Sequence, residues 1–451
     1  MTVLTERAEV LRERIASKRA QIAVIGCGYV GLPLAIRLAE TGFSVVGIDV
    51  DERRVRTLRG GVSPIMDVSQ ERLVEQLESG RFNASSDYDE LRETDIIFVT
   101  VPTPFDKAKQ PDLRFVVAAA EGIAPRLREQ QLVILESTTF PGTTDEVMRP
   151  TLEQGGLKAG TDFYLAVSPE RIDPGNREFG IHNTPKVVGG VDEQSAELAA
   201  FVLAQIVGPD NVHVVSSARV AELTKLLENT FRAVNIALVN ELAMLCDRMG
   251  ISVWEVIEAA ATKPYGFMPF YPGPGVGGHC IPVDPYYLAW KAREFDFQTR
   301  FIELAAETNR AMPFFTVTRI RRLLTQAGTS VRGARILVLG AAFKKDIDDP
   351  RNSPAVRVME ILRSEGAHVQ YHDSLVPEVV LADALFVKNG HSASFRSVEL
   401  DRGLVAAADC VVILVDHSSV DYDMVLTNAQ LVFDAVNATA GRQGRAMVER
   451  L

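Results

Sequence analysis

The chain has 451 residues, a formal net charge of −11 at pH 7, 47% hydrophobic residues, 24% charged residues and four cysteines. This length accommodates two or three domains, each with its own core. The acidic balance argues against a nucleic-acid partner, because a phosphate backbone attracts a basic surface. Four cysteines without a Cys-x-x-Cys pair exclude a disulfide scaffold, and the sequence predicts no metal site.

The first 20 residues, MTVLTERAEVLRERIASKRA, are charged throughout. They predict a helical extension and lack the apolar core of a signal peptide. No apolar run in the chain is long enough to span a bilayer. We therefore expect no membrane partner, and a cytoplasmic protein whose thiols stay reduced.

Residues 21–55 read as a strand, a tight turn, a helix and a second strand that ends on Asp49. Three glycines of the turn form a G-x-G-x-x-G: Gly26, Gly28 and Gly31. The first permits the turn, the second lets a pyrophosphate approach, and the third lets helix and strand pack closely. Asp49 stands where an acid binds the ribose diol, and it would repel a 2′-phosphate. The pattern predicts an NAD site. Arg53 and Arg54 weakly favour NADP, because arginines near this position can bind its 2′-phosphate.

Three further buried strands end in polar residues within VTVPTP, ESTTFPGTT and SPERIDPG. Ligands bind beyond the carboxyl ends of strands in an open parallel sheet, which makes Thr103, Thr138 and Glu170 candidate site residues. Helix capping is the alternative for the two threonines, and a surface carboxylate is the alternative for Glu170.

Residues 218–250 have helical spacing and no proline, which predicts one helix on the order of 45 Å long. Its apolar residues cover more than one face, so we expect it to pack against neighbouring domains or a second subunit. Lys225 and Asn229 project from one face and are candidate oxyanion stabilisers. The alternative is a solvated face that also carries Glu222 and Glu228.

The segment GPGVGGHCIPVDP, residues 273–285, places Cys280 in a loop rich in glycine and proline. Cys280 is either a small buried residue or a nucleophile. Gly277 and Gly278 offer little side chain to shield the sulfur, and Asp284 is a possible base. Lys225 could supply the field that a reactive thiolate needs.

The last third repeats the strand–turn–helix order from ARILVLGAAFKKDIDDPRNSP onwards, without the glycine triplet. Its first turn carries Lys344 and Lys345, which either neutralise a diphosphate or are simply solvated. The predicted fold class is α/β, with two Rossmann-like doubly wound domains joined by a central helical domain that contains one long helix. Four segments are predicted, namely an N-terminal helical extension, an NAD-binding Rossmann-like domain, a central helical domain and a second Rossmann-like domain: 1–20, 21–212, 213–325 and 326–451.

Together, GCGYVGLP, VTVPTP, ESTTFPGTT, SPERIDPG, AELTKLLENTF, GPGVGGHCIPVDP and AAFKKDIDDPRNSP resemble the nucleotide-sugar dehydrogenases. This family oxidises a UDP-sugar to a uronic acid and includes the 6-dehydrogenases of UDP-glucose and of UDP-N-acetylhexosamines. The resemblance implies NAD as the cofactor, a UDP-sugar as the substrate and a homodimer or higher homo-oligomer. Two positions depart from the family pattern. Only Lys263 stands where several members have an arginine before the cysteine loop, and Val436 replaces the arginine of a terminal Asp-x-Arg.

The resemblance implies six catalytic residues: Cys280, Lys225, Asn229, Asp284, Thr138 and Glu170. In that scheme the thiol is the nucleophile, the lysine and amide stabilise oxyanions, the aspartate assists proton transfer, and the last two position the hydrolytic water. The residues implied for NAD are Gly26, Gly28, Tyr29, Val30, Gly31, Asp49, Arg54, Thr103 and Thr138. The residues implied for the UDP-sugar are Glu170, Arg171, Lys225, Phe270, Tyr271, Gly277 and Lys344.

The implied reaction oxidises the C6 alcohol to an aldehyde, which Cys280 traps as a thiohemiacetal. A second oxidation gives a thioester, and water releases the uronic acid. The cysteine-loop pattern looks most like the branch that acts on UDP-N-acetylglucosamine, with UDP-glucose and UDP-N-acetylmannosamine as alternatives. Two remoter readings are a hydroxyacid dehydrogenase that transfers one hydride and a nucleotide-binding scaffold without enzymatic activity.

Overall fold

The structure is a computed structural model that describes residues 5–106, 110–173, 175–176, 178–382 and 392–451. The chain divides into two compact units. Unit 1 comprises Met1–Glu228 and Tyr286–Phe297, and unit 2 comprises Asn229–Pro285 and Gln298–Leu451. The four segments predicted from the sequence stay a prediction.

Unit 1 alternates strands with helices. Its elements in chain order are α1 Glu6–Ala16, β1 Gln21–Ile25, α2 Gly31–Glu40, β2 Ser44–Ile48, α3 Glu52–Arg59, α4 Gln70–Glu78, β3 Phe82–Ser85, β4 Ile96–Val99, α5 Arg114–Ile123, β5 Leu132–Leu135, α6 Arg149–Leu152, β6 Tyr164–Val167, β7 Lys186–Gly190, α7 Glu193–Val207 and β8 Val212–Val214. One π-helical turn, Thr144–Met148, precedes α6. The short 3-10 helices of this unit are Tyr88–Glu93, Ala124–Arg126, Glu153–Gly155, Pro209–Asn211 and Arg293–Phe295.

The strands of unit 1 form one sheet in the order β3-β2-β1-β4-β5-β6-β7-β8. Neighbouring strands are parallel except for β6 and β7, which pair antiparallel through Ala166 with Gly190 and Val167 with Gly189. Strands β4, β5 and β6 are buried along their whole length, as expected where helices cover both faces of a sheet. The single reversal brings the amino end of β7 to the sheet edge at which β5 and β6 end.

Helix α1 is part of the core of unit 1. Its buried residues Ala8, Leu11 and Ile15 belong to the same apolar cluster as strand β1. Arg14 also pairs with the buried Asp95 at 2.7 Å. The predicted N-terminal helix is therefore present, and it packs into the apolar core of unit 1.

A long helix, α8 Ala218–Met249, follows β8 and confirms the predicted central helix. Its 32 residues correspond to a length of about 48 Å. It ends before Gly250, whose φ of +69° is the left-handed conformation typical of a helix C-terminus.

The remaining elements in chain order are α9 Val253–Ala261, α10 Asp284–Ala292, α11 Arg300–Gln326, β9 Arg335–Leu339, α12 Pro354–Ser364, β10 His368–His372, β11 Glu378–Ala382, β12 Ser392–Arg396, α13 Arg402–Ala407, β13 Cys410–Ile413, α14 Tyr422–Asn428, β14 Leu431–Asp434 and β15 Met447–Arg450. Unit 2 contains a five-stranded parallel sheet in the order β10-β9-β13-β14-β15. Strands β11 and β12 form a separate antiparallel pair. The sequence did not predict β11, β12 or β15.

The two sheets and the helices between them confirm the predicted α/β fold class. None of the helices in the described residues combines the length and the apolar character that a bilayer crossing requires.

Candidate active site

The glycine loop of unit 1 depends on the absence of side chains. Gly26 has a φ of +94°, and a Cβ atom there would lie 2.8 Å from the carbonyl oxygen of Thr100. A Cβ on Gly31 would lie 1.9 Å from the carbonyl oxygen of Gly26. By contrast, a Cβ on Gly28 would meet only the Arg54 guanidinium, at 3.8 Å. The first and third glycines are therefore required by packing, and the space above Gly28 is open to a ligand.

Asp49 lies beside this loop with most of its surface buried. One carboxylate oxygen accepts the N–H of Cys27 at 3.0 Å, and the other accepts the N–H of Asp51 at 2.9 Å. Arg54 approaches the first oxygen at 3.5 Å. Since each carboxylate oxygen can accept two hydrogen bonds, Asp49 keeps capacity for a ribose diol. The loop and the acid fit NAD, and Arg54 is paired with Asp49 rather than directed to a 2′-phosphate.

Tyr29 and Val30 complete the loop before α2, and both are half-buried. Val30 is the N-cap residue of α2, and no side chain caps this helix. The amino end of α2 therefore offers backbone N–H groups and positive dipole character to a phosphate.

Two threonines lie beyond the neighbouring strands. Thr103 is half-buried, and its carbonyl oxygen accepts the hydroxyl of the fully buried Tyr287 at 2.5 Å. Thr138 is also half-buried, whereas the next residue, Thr139, is buried, and its hydroxyl has no partner among the described residues. Sequence reasoning overlooked Thr139, although it belongs to the same hydroxyl-rich motif.

Glu222 on α8 holds the far end of the loop that carries Thr138 and Thr139. Its carboxylate accepts the N–H of Gly142 at 2.6 Å, the N–H of Thr144 at 2.9 Å and the Thr144 hydroxyl at 2.7 Å. Burial raises the pKa of Glu222 to about 7, although these three hydrogen bonds act in the opposite direction. The solvated helix face considered as an alternative is therefore not what the structure contains at this position.

Lys225 is one turn further along α8 and is only 7% exposed. Its ammonium has no hydrogen-bond or ion-pair partner among the described residues of unit 1. The positive charge of this ammonium suits an anionic ligand or transition state. The guanidinium of Arg171, in contrast, already has protein partners, since it pairs with Glu228 at 2.7 Å and donates to the Pro185 carbonyl at 2.8 Å.

Glu170 belongs to a buried cluster of charged residues that no sequence motif predicted. Lys186 at the start of β7 lies 2.6 Å from Glu170 and 3.3 Å from Glu136, which follows β5. Burial alone would raise the pKa of Glu170, but Lys186 and the N–H groups of Ile172 and Arg171 lower it to about 2. Burial raises the pKa of Glu136 to about 8, against the opposing charge of Lys186. Burial therefore favours the neutral form of Glu136, whereas Lys186 and the backbone N–H groups favour the ionised form of Glu170.

Unit 2 contains the thiol. All four cysteines lie in the described residues, and of these only Cys280 is partly exposed. Burial raises the pKa of both Cys27 and Cys410 to about 12, which makes them poor nucleophiles. The carbonyl oxygen of Cys280 accepts the N–H groups of Val283 and Asp284, which places the residue in the turn that opens α10. The amino end of a helix favours a negative charge nearby.

Asn229 and Asp284 are in direct contact in unit 2. The Asn229 amide donates to the Asp284 carboxylate at 2.5 Å, and both side chains are more than nine-tenths buried. Since Asn229 follows Lys225 by one turn of α8, the carboxylate fixes the orientation of an amide on the same helix face as the buried lysine.

The glycines before Cys280 have a packing role. A Cβ on Gly277 would lie 2.6 Å from Phe343 and 2.8 Å from Pro354. Gly278 has a φ of +87°, and its backbone exchanges hydrogen bonds with Arg351 and Asn352. These contacts hold the cysteine loop against the turn that follows β9.

Three residues of unit 2 that were predicted to bind the substrate lie in different local environments. Phe270 packs edge-on against Phe231, with ring centres 5.8 Å apart. Tyr271 stacks on Trp254 and donates its hydroxyl to Glu258 at 3.1 Å. Lys344 is half-buried in the turn after β9. Their predicted contacts with a UDP-sugar stay predictions.

Sequence reasoning missed Glu136, Lys186 and Glu222. An acid directly after a buried strand was a usable signal for Glu136. Lys186 had no such signal, because its position at the ligand edge depends on the reversal of β7. Glu222 was noticed only as part of a solvated face.

Comparison with known proteins identifies the family. Models of the UDP-glucose/GDP-mannose dehydrogenase family match the NAD-binding domain at residues 20–207, the central domain at 219–311 and the UDP-binding domain at 337–441. The chain belongs to this family. It is an NAD-dependent UDP-sugar dehydrogenase, an oxidoreductase, which excludes the scaffold without enzymatic activity.

Individual relatives of this dehydrogenase differ in the sugar that their names specify. UDP-N-acetyl-D-glucosamine 6-dehydrogenase of Pseudomonas aeruginosa is 40% identical over 370 residues, which cover 82% of this chain and 85% of that protein. UDP-N-acetyl-D-mannosamine dehydrogenase of Pyrococcus horikoshii is 38% identical over 392 residues, 84% of this chain and 91% of that protein. The structure of the UDP-D-ManNAc dehydrogenase of P. horikoshii aligns with a TM-score of 0.84 at 34% identity, covering 95% of this chain and 98% of that one.

Proposed function

We propose that this dehydrogenase oxidises the C6 hydroxyl of a UDP-N-acetylhexosamine, UDP-N-acetylglucosamine in the first place, to the uronic acid. The relative from P. aeruginosa supports this substrate, and the cysteine-loop pattern favours the same branch. UDP-N-acetylmannosamine is the second candidate, because the relative and the solved structure from P. horikoshii carry that name. Pockets that differ by a small group separate substrates by only about 1–3 kcal/mol, so family membership leaves both open.

The observation that carries the mechanism is the partly exposed thiol of Cys280 at the amino end of α10, in a chain whose other cysteines are buried. NAD, when bound, accepts the hydrides that leave the sugar carbon. The Cys280 thiolate adds to the C6 aldehyde and forms a thiohemiacetal, whose oxyanion Lys225 and Asn229 stabilise. Oxidation of that adduct gives a thioester.

The remaining catalytic residues prepare hydrolysis. Thr138 and Glu170 position the water that attacks the thioester, and Asp284 assists proton transfer. Asp284 is suited to this role because it is buried and already orients Asn229. Cys280 leaves as a thiolate, a better leaving group than an alkoxide, and the uronate is released.

The cofactor is held by the glycine loop and its surroundings: Gly26, Gly28, Tyr29, Val30, Gly31, Asp49, Arg54, Thr103 and Thr138. The open space at Gly28 and the spare capacity of Asp49 support this assignment. The UDP-sugar contacts are assigned to Glu170, Arg171, Lys225, Phe270, Tyr271, Gly277 and Lys344.

The enzyme is further proposed to be a homodimer that forms through α8. Eight apolar side chains of this helix are exposed at helical spacing: Val220, Leu223, Leu227, Phe231, Leu238, Leu242, Leu245 and Met249. A continuous apolar stripe of this length on a helix is typical of a subunit interface. Replacement of Leu242 by glutamate is expected to yield monomers in sedimentation velocity, whereas the exposed control Arg248→Glu stays dimeric.

The cytoplasmic location stays a prediction.

The test combines a substrate panel with stoichiometry. UDP-glucose, UDP-GlcNAc, UDP-GalNAc and UDP-ManNAc are compared by NADH absorbance, with kcat/KM expected to be highest for UDP-GlcNAc. Two NADH are expected per uronate, and one NADH per substrate would contradict the thioester route. Cys280→Ser is expected to abolish acid formation while NAD and UDP binding persist. Retained acid formation by this variant would remove Cys280 from the mechanism.

A further inference from the structure

The buried cluster of Glu136, Lys186 and Glu170 lies where three strands of unit 1 meet. The backbone N–H of Glu170 donates to the Glu136 carbonyl at 3.1 Å, which joins the segments that follow β5 and β6. Lys186 reaches the same place because β7 runs antiparallel to β6. Lys186 and Glu136 are fully buried, and Glu170 is nearly so.

Glu170 is held on both sides of its carboxylate. One oxygen accepts the N–H groups of Arg171 at 2.6 Å and Ile172 at 2.8 Å. The other oxygen accepts the Lys186 ammonium at 2.6 Å. The Glu136 carboxyl also forms a hydrogen bond with Glu170, so both buried neighbours fix the orientation of this carboxylate.

Three polar atoms near the ends of β5 and β6 are buried without a partner among the described residues. They are Oε1 of Glu136, Oγ1 of Thr139 and Oγ of Ser168. Buried polar groups are normally satisfied by protein or by ordered water, so each of these atoms has capacity for a hydrogen bond to water.

We propose that Lys186 and Glu136 are positioning residues for the hydrolytic half of the reaction, acting through Glu170. Lys186 keeps the Glu170 carboxylate ionised and in one orientation, and Glu136 anchors Lys186 from the opposite side. The inference rests on the proposed function, because it assumes a thioester on Cys280. A cluster that serves stability alone is the competing explanation, since removal of one partner of a buried ion pair is destabilising in any case.

The step concerned is the addition of water to the thioester carbonyl. Oxygen forms a bond to carbon, the carbon–sulfur bond breaks, and Cys280 departs with the electron pair as a thiolate. The attacking water gives up one proton through Asp284, and the new carboxylic acid releases the second proton to solvent as it ionises to the uronate. Glu170 orients that water as a hydrogen-bond acceptor, which requires the carboxylate to stay charged and fixed.

The experiment separates hydrolysis from the preceding oxidations in the full-length enzyme. NADH is followed by stopped flow with saturating NAD and UDP-sugar, and the Cys280 adduct is measured by mass spectrometry of the quenched protein. Lys186→Met is expected to lower the steady-state rate on the order of 10²-fold. A burst of two NADH per site is expected to persist, with the acyl adduct accumulating. Lys186→Arg keeps the charge and should restore most of the steady-state rate.

The matched control is Lys158→Met, which removes an exposed lysine of the same unit that pairs with Glu153 at 2.9 Å. It is expected to behave as the wild-type enzyme. If Lys186→Met lowers burst and steady state by one common factor, or leaves the steady state unchanged, the proposal is overturned. If the wild-type enzyme itself never forms an adduct on Cys280, the proposed function has failed instead.

A second variant tests the cluster without removing its cation. The charges that act on Glu136 are those of Lys186 and Glu170. With its pKa raised by burial to about 8, Glu136 ionises above that pH and competes with Glu170 for Lys186. The wild-type steady-state rate should therefore fall as pH rises through about 8, and the isosteric Glu136→Gln should lack this fall. An unchanged pH profile in Glu136→Gln would contradict its positioning role even if Lys186→Met proves unstable.

Discussion

The two large sheets of this dehydrogenase begin with the same order of elements and use it differently. In unit 1 the first strand is followed by Gly26 with a φ of +94°, and in unit 2 by Gly340 with a φ of +89°. Helix α2 then begins at Gly31, whereas α12 begins only at Pro354. Only unit 1 therefore brings a helix amino end directly to its glycine turn, as a dinucleotide cradle requires.

The acids after the second strands show the same contrast. Asp49 accepts two backbone N–H groups and is approached by Arg54. Asp373 accepts four backbone N–H groups, from residues 341, 342, 375 and 376, together with the His417 ring nitrogen Nε2 at 3.0 Å. Groups of the protein therefore occupy the hydrogen-bond acceptor sites of Asp373. A shared topology thus places an acid at the same point, and local hydrogen bonding decides whether a ligand can use it.

The two turns are expected to differ most in how an added methyl group changes NAD affinity and melting temperature. Gly31→Ala puts Cβ into the Gly26 carbonyl, so the NAD dissociation constant should rise on the order of 10²-fold and the melting temperature should fall by several degrees. Gly340→Ala puts Cβ 2.4 Å from Val415, which should lower the melting temperature without changing NAD affinity. Calorimetry with and without NAD measures both quantities.

Gly28→Ala is the control within the glycine loop, because its Cβ would meet only Arg54 at 3.8 Å. This variant should fold with unchanged stability and bind NAD weakly. Equal NAD affinity in Gly28→Ala and the wild-type enzyme would show that the loop does not bind the pyrophosphate.

The second difference concerns the two acids. Asp49→Asn should weaken NAD binding about tenfold and reduce the preference for NAD over NADP, because the amide no longer repels a 2′-phosphate. Asp373→Asn should leave NAD affinity unchanged and lower the melting temperature, since an amide cannot accept all the hydrogen bonds that Asp373 receives. Titration calorimetry with both cofactors is decisive. Unchanged cofactor preference in Asp49→Asn would remove it from the ribose site.

These contrasts show why part of the molecule was predictable. The glycine triplet, Asp49 and the long helix are local patterns, in which spacing alone determines the geometry. The absence of the glycine triplet from the second sheet was equally visible in the sequence. Lys186 was not, because it reaches Glu170 only through the antiparallel pairing of β7. The hydrogen bond between Asp373 and His417 was likewise not predictable, because it joins residues 44 positions apart in the sequence.

The smallest expected difference is the pH dependence of the two units. Burial raises the pKa of Glu222 in unit 1 to about 7 from an ordinary 4.5. Its contribution to stability is therefore complete below about pH 4.5 and is lost as pH rises through about 7. Burial alone would raise the pKa of Asp373 in unit 2, but His417 and the turn N–H groups lower it to about 2. Its contribution is complete above pH 3.8, the ordinary pKa, and is lost as pH falls through about 2.

Hydrogen exchange resolved by peptide can follow the two units in one sample, after correction for the intrinsic pH dependence of exchange. Raising the pH from 5 to 8 should lower the protection of the segment from Gly142 to Leu152, which Glu222 holds. The turn after β9 should keep its protection over that range and lose it only in acid, because Asp373 stays ionised. Glu222→Gln cannot titrate, so it should abolish the first change and leave the second. A loss of protection in the β9 turn between pH 5 and 8 would mean that Asp373 does not control that turn, and the contrast between the two acids would then fail.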